Sequence, residues 1–135
     1  MSAFIWQARV YWEDTDAGGI VYYANYLRFL ERARSEWLRS RGVSQSALAL
    51  DPGIIFSVVA LEAQYRRPGR LDDMLAISCE PARDGAASLA FGQRIWRNDR
   101  DGQLLLSASV RVACLDARNL KPRRLPAVIL RELGN

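Results

Sequence analysis

Only one stretch of these 135 residues carries the period of a long helix, and four strand-like segments follow it with no second such stretch. Across residues 24–41, Tyr26, Leu27, Leu30, Ala33, Trp37 and Leu38 recur at helical spacing, with Arg28, Glu31, Arg32, Arg34, Ser35, Glu36 and Arg39 between them. Gly42 stands where a C-cap is expected. Residues 54–65, 74–80, 88–97 and 104–115 then read as strands, separated by Arg67-Pro68-Gly69, Asp84-Gly85 and a turn from Asn98 to Gly102. In the last of them Leu104, Leu106, Ala108, Val110, Val112 and Cys114 share one face, opposite Ser107, Ser109 and Arg111. At ~3.3 Å per residue this strand approaches roughly 40 Å, long enough to curve. Residues 5–12 form an opening strand, residues 44–50 a short helical turn broken by Asp51-Pro52-Gly53, residues 117–126 a loop, and residues 127–133 a short terminal helix. One helix and about five antiparallel strands define an α+β domain spanning residues 1–135, with the helix covering the apolar face of the sheet. Such a sheet leaves an open edge, so the chain is expected to pair with itself.

Chemistry concentrates just before the helix, in Glu13-Asp14-Thr15-Asp16-Ala17-Gly18-Gly19-Ile20-Val21-Tyr22-Tyr23-Ala24-Asn25-Tyr26. The glycine pair lets the backbone turn sharply. The helix start behind it offers unpaired N–H groups and a partial positive charge, a place for an oxyanion. Histidine is absent from the sequence, which removes Ser-His-Asp triads, Cys-His pairs and His-containing metal sites. In an enzyme of this sequence, carboxylates and backbone dipoles must do most of the work, and the expectation is chemistry without metal or prosthetic group.

The formal charge is +4, and all but one of the 19 basic residues are arginine, Lys121 being the exception. Nucleic acid, an anionic membrane and a phosphate-bearing small molecule all suit that surplus. The basic residues are scattered, which argues against a nucleic-acid stripe and for a small phosphorylated ligand. No segment is long and apolar enough to span a membrane, and residues 1–7 do not read as a signal peptide, so the cytoplasm is the default compartment. Cys79 and Cys114 sit in strand-like apolar runs and read as buried small hydrophobes.

The segment Val10 to Tyr26, continuing through Glu31-Arg32-Ala33-Arg34-Ser35-Glu36-Trp37-Leu38, resembles the hotdog-fold acyl-CoA thioesterases of the 4-hydroxybenzoyl-CoA thioesterase type. It is most similar to the branch associated with the Tol-Pal cell-envelope system, to which Lys121-Pro122-Arg123-Arg124-Leu125-Pro126 is also similar. The resemblance implies a five-stranded antiparallel sheet wrapped around the helix, edge-to-edge dimers that often pair into tetramers, and an active site at the dimer interface. It implies hydrolysis of acyl-CoA to free acid and coenzyme A, with coenzyme A a part of the substrate rather than a cofactor. Its catalytic carboxylate maps to Asp16, and its carbonyl-binding N–H to the neighbourhood of Tyr23. Many members of the Tol-Pal branch carry histidine at that second position; a backbone donor is indifferent to the change, whereas an imidazole mechanism cannot operate here.

Substrate-binding candidates are Gly19, Val21, Tyr22, Asn25, Glu62, Lys121 and Arg123, the last two for the phosphates of coenzyme A. Each has a plainer reading: Asn25 as a helix-start residue, Glu62 as a solvent-facing strand residue, the basic residues as solvated surface. Asp14 reads as a turn-stabilising residue. Rival functions are a non-catalytic module binding acyl-CoA or an acyl carrier protein and a 1,4-dihydroxy-2-naphthoyl-CoA hydrolase; within the cytoplasm, a peripheral place at the inner membrane is the alternative location.

Overall fold

The computed structural model describes residues 4–133, so part of the stretch 1–7 read above as lacking a leader lies outside the described residues. Five strands, β1 (Phe4–Arg9), β2 (Ile54–Tyr65), β3 (Met74–Arg83), β4 (Ser88–Arg97) and β5 (Leu104–Asp116), form one antiparallel sheet in the order β1-β3-β4-β5-β2. The helices are α1 (Tyr26–Ser40), α2 (Gln45–Leu50) and α3 (Ala127–Glu132).

Helix α1 buries Tyr26, Phe29, Leu30, Ala33, Trp37 and Leu38, a stripe set by the three-and-four spacing of its apolar residues. That stripe packs into the concave face of the sheet against Leu75, Ile77, Leu89, Phe91, Ile95, Leu106 and Val110, with the Trp37 and Phe91 rings edge to face at 5.8 Å. Gly42 adopts φ +77°, and Val43 donates back to the carbonyl of Leu38 at 2.9 Å, closing the helix end. Burial pushes the Cys79 thiol up to about 12 and raises Cys114 as well, which keeps both protonated and inert at neutral pH.

Three boundaries differ from the sequence expectation by two residues or more. Strand β1 stops at Arg9 rather than residue 12, because Trp12–Asp14 forms a tight 3₁₀ turn in which the Asp14 carboxylate accepts the Tyr11 N–H at 2.8 Å. The helical path from residue 24 begins as a separate 3₁₀ turn, Tyr23–Asn25, before α1 proper. Strand β3 runs on through Pro81 to Arg83, since Pro81 lies past the last described β1 pairing, Phe4 with Cys79. Strand β2 forms an open edge of the sheet, bulged between Val58 and Ala60, with Val58, Val59 and Leu61 exposed.

Candidate active site

Residues 14–22 form a small hairpin. Tyr22 donates to the Asp14 carbonyl at 2.9 Å, Thr15 bridges Val21, and Asp16 donates to the Ile20 carbonyl at 2.9 Å. Gly19 closes the tip with a bond to the Asp16 carbonyl at 3.0 Å and takes φ +79°, a conformation that disfavours a side chain. Asp16 therefore stands at the hairpin tip, exposed, with Oδ1 accepting the Gly18 N–H at 2.9 Å. No other hydrogen bond among the described residues involves its carboxylate, which leaves Oδ2 open to a ligand.

The hairpin is fixed to the β2–β3 loop from below. Val21 donates to the Gly69 carbonyl at 2.8 Å, Leu71 donates to Gly19, and Gly69 donates to the Tyr26 hydroxyl at 2.8 Å. A Cβ at Gly69 would stand 3.1 Å from Val21 Cγ2, a tight contact that Val21 would have to relieve by a few tenths of an ångström. Arg97 ties the same loop down through an ion pair with Asp73 and a bond to the Pro68 carbonyl. Burial raises the pKa of Tyr26 against the lowering effect of the Gly69 N–H, and burial likewise raises Tyr65; both phenols stay neutral at pH 7.

The hairpin's return arm runs directly into the Tyr23–Asn25 turn. Tyr22 and Asn25 have acceptors for their N–H groups, whereas those of Tyr23 and Ala24 have none among the described residues. These are the free donors that begin a helical run and carry its positive pole. Tyr65, at the end of β2, donates to the Tyr23 carbonyl at 2.9 Å and stacks edge to face on the Tyr23 and Tyr26 rings, with centroids 6.4 and 5.5 Å away. The phenol clamps the turn without consuming either free N–H.

Several of the residues that the sequence nominates are placed elsewhere or already occupied. Asp14 is buried and both its oxygens are taken, one by Tyr11 and one by Asn25 Nδ2 at 2.9 Å, so it holds the turn. Asn25 is thereby a structural partner of Asp14. Val21 is buried with its N–H bonded to Gly69, and the Gly19 N–H is used in the turn, so both shape the hairpin. Tyr22 and Tyr23 keep exposed rings, 5.0 Å apart. Glu62 pairs with Ser109 on the outer face of the sheet, away from α1, so within one protomer it does not join Asp16. Arg123 donates to the carbonyls of Pro52 and Gly53 and lies 3.6 Å from Asp116, and Lys121 is exposed on the same loop. That loop adjoins the Ile54 end of β2, one 12-residue strand away from Tyr65, or roughly 35 Å at ~3.3 Å per residue.

Local sequence pattern does not single out Tyr65. Its signal is parity: Leu61, Ala63 and Tyr65 pair with Val110, Ala108 and Leu106, the inward row of β5, so Tyr65 has to face the helix.

Residues 18–102 match the family model described as the thioesterase superfamily. The chain is 46% identical over 129 residues to the acyl-CoA thioester hydrolase YbgC of Shigella flexneri, covering 96% of this chain and 94% of that protein. It is 41% identical over 125 residues to the acyl-CoA thioesterase YbgC of Haemophilus influenzae, covering 93% and 90%. Among solved structures, a probable thioesterase from Bartonella henselae is 38% identical with a TM-score of 0.85, covering 93% of this chain and 100% of that one. A 1,4-dihydroxy-2-naphthoyl-CoA thioesterase from Synechocystis superposes with a TM-score of 0.90 over 99% of this chain and 97% of its own; at 22% identity this is a likeness of fold.

Proposed function

We infer from the family to which this chain belongs, the thioesterase superfamily with its hotdog fold, that it is an acyl-CoA thioester hydrolase yielding a free carboxylic acid and coenzyme A. The observation that carries our assignment of roles is one continuous piece of backbone. It presents an open Asp16 carboxylate at a hairpin tip and, on the return arm, the free N–H groups of Tyr23 and Ala24.

In this reading the thioester carbonyl oxygen accepts the Tyr23 and Ala24 N–H groups, which stabilise the charge that develops as the carbonyl carbon becomes tetrahedral. Asp16 either adds to that carbon, expelling the coenzyme A thiolate and leaving an anhydride that water opens, or removes a proton from an attacking water. Single turnover in ¹⁸O-water reveals the anhydride route where water opens it at the Asp16 carbonyl carbon: the label then enters the Asp16 carboxylate, which the general-base route never labels.

A β2-edge dimer would complete the site. Antiparallel pairing of two such edges about a two-fold axis near Val59 sets the Ile54 end of one strand beside the Tyr65 end of the other. Lys121 and Arg123 of one protomer would then stand near the Tyr23 turn of its mate, placed for the phosphates of coenzyme A. So would a cleft of about 120 Å³ between α1 and the sheet, lined by Arg34, Leu38, Phe56, Val58, Phe91 and Val112.

The test is an acyl-CoA panel with free-thiol detection for wild type and Asp16→Asn. Asparagine keeps an oxygen for the Gly18 N–H, so the turn survives while the base or nucleophile is lost. Turnover is expected to fall at least ~10²-fold. Equal rates would remove Asp16 from the chemistry, and tight acyl-CoA binding without product in wild type would favour a non-catalytic binding module.

A further inference from the structure

Tyr65 stands where it can act on the reaction without touching substrate. Its hydroxyl donates to the Tyr23 carbonyl at 2.9 Å. That carbonyl and the Ala24 N–H belong to one peptide group, and the Ala24 N–H is one of the two free donors at the helix start. The other, the N–H of Tyr23, shares its peptide with the Tyr22 carbonyl, which accepts from the Asn25 N–H at 2.8 Å. Each free donor thus has a hydrogen bond on the oxygen of its own peptide. Bonds chained in this way polarise one another, so a donor on the carbonyl oxygen makes the N–H of the same amide a stronger donor. For Tyr23 that bond comes from neighbouring backbone; for Ala24 a side chain of β2 supplies it, 42 residues along the chain from Tyr23.

Burial does not demand this bond, since Tyr65 is 49% exposed and water can reach the residue. The geometry is nonetheless held from three sides. Tyr65 pairs with Leu106 at the end of the ladder, the following N–H, of Arg66, is tied to the Leu105 carbonyl at 2.8 Å, and the ring rests edge to face on those of Tyr23 and Tyr26. A strand end that aims one hydroxyl at one carbonyl preorganises the turn beyond it.

Given the first-turn amides as carbonyl-binding donors, on which this rests, we propose that Tyr65 is a positioning residue of the hydrolysis: its O–H, through the Tyr23 carbonyl, orients and strengthens the Ala24 N–H that receives the thioester oxygen. As negative charge collects on that oxygen, the amide polarises further and the Tyr23 carbonyl becomes a better acceptor for Tyr65. The gain is larger in the transition state than with bound substrate, so it falls on kcat. One oxyanion donor contributes about 10²–10³ in kcat and a chained bond strengthens its neighbour by about 10–30%, so loss of the hydroxyl should lower kcat roughly 2- to 8-fold with KM unchanged.

The test is free-thiol release from butyryl-CoA and benzoyl-CoA by the full chain as wild type, as Tyr65→Phe, and with tyrosine bearing one or two fluorines ortho to the hydroxyl at position 65. All are assayed at one pH below the titration of every phenol in the series, with circular dichroism to verify folding. Fluorine makes the phenol more acidic and its O–H a stronger donor while the ring keeps its shape. The order expected for kcat is phenylalanine, tyrosine, monofluorotyrosine, difluorotyrosine, rising, with KM and melting temperature nearly constant across the three phenols. A ring that only packs gives no such order. A flat series with Tyr65→Phe equal to wild type, where Asp16→Asn and Tyr23→Pro lose turnover, would overturn the role of Tyr65 alone. Wild-type turnover in Asp16→Asn and Tyr23→Pro would remove the catalytic reading, and the role of Tyr65 with it.

Discussion

Replacing Tyr23 by proline deletes one N–H from the helix start and leaves the surrounding backbone in place. Tyr22, at φ −61° and ψ 132°, already has the extended conformation that a following proline demands. Proline's fixed φ suits the first residue of a helical turn, and the N–H it lacks has no acceptor among the described residues. The Tyr23 carbonyl that accepts from Tyr65 survives. The ring does not, so Tyr23→Ala is the control, removing the same contacts to Tyr22 and Tyr65 while keeping the N–H. Each variant loses edge-to-face pairs of about 0.5–1.5 kcal/mol, so their melting temperatures should lie within a few degrees of one another. One oxyanion donor contributes about 2.7–4 kcal/mol, or 10²–10³ in kcat. With free-thiol release from a preferred acyl-CoA as the assay, kcat of Tyr23→Pro should lie ~10²-fold below that of Tyr23→Ala, with KM within a few fold. Equal kcat values in two folded proteins would refute the role of the first-turn amide.

Asp14→Asn should do the reverse of Asp16→Asn, because an amide group there faces donors from both Tyr11 and Asn25. A buried mismatch of this kind costs about 1–3 kcal/mol, seen as a melting temperature lowered by several degrees; an unchanged one would contradict the reading of Asp14 as structural. Cys79, with its thiol at about 12 in the folded chain against 9.0 as the reference, contributes stability that is complete below pH 9 and declines from there up to pH 12. The unfolded chain binds fewer protons across that window, so the slope from this group approaches about −1.4 kcal/mol per pH unit. Urea unfolding of wild type and Cys79→Ala should therefore converge as pH rises through that range, and parallel curves would refute it.

How much was legible follows from where the information resides. The helix, its Gly42 cap and strands β2 and β4 were readable because each is a local pattern: one apolar stripe, one left-handed glycine, alternating faces between turn residues. The end of β1 was not, since Asp14 breaks the strand through bonds to Tyr11 and to Asn25, eleven residues away. The role of Asn25 was hidden by the same bond. Placing Asp16 at the tip of a turn needed only the glycine pair behind it. Finding Tyr65 needed the register of β2 on β5, which no single segment encodes.

Lys121 and Arg123 pose a sharper question, because in one protomer they lie a full strand length from Asp16. Their service to the site then requires that each site draw on two chains, and subunit mixing can test this. In a site built within one chain, combining Asp16→Asn with Lys121→Ala protein restores nothing, since every site keeps one lesion. In a site shared across the β2 edge, the mixed dimer has one site with both lesions and one with neither. Random re-pairing of equal amounts makes half the dimers mixed, so about one quarter of the wild-type activity should return at low substrate. Asp16→Asn alone is expected to lack turnover, and Lys121→Ala alone to be weak at low substrate through a raised KM. Activity above the sum of the separate proteins after denaturation and joint refolding places the phosphate-binding residues on the second chain. Activity equal to that sum would sink the β2-edge arrangement even with the hydrolytic assignment intact.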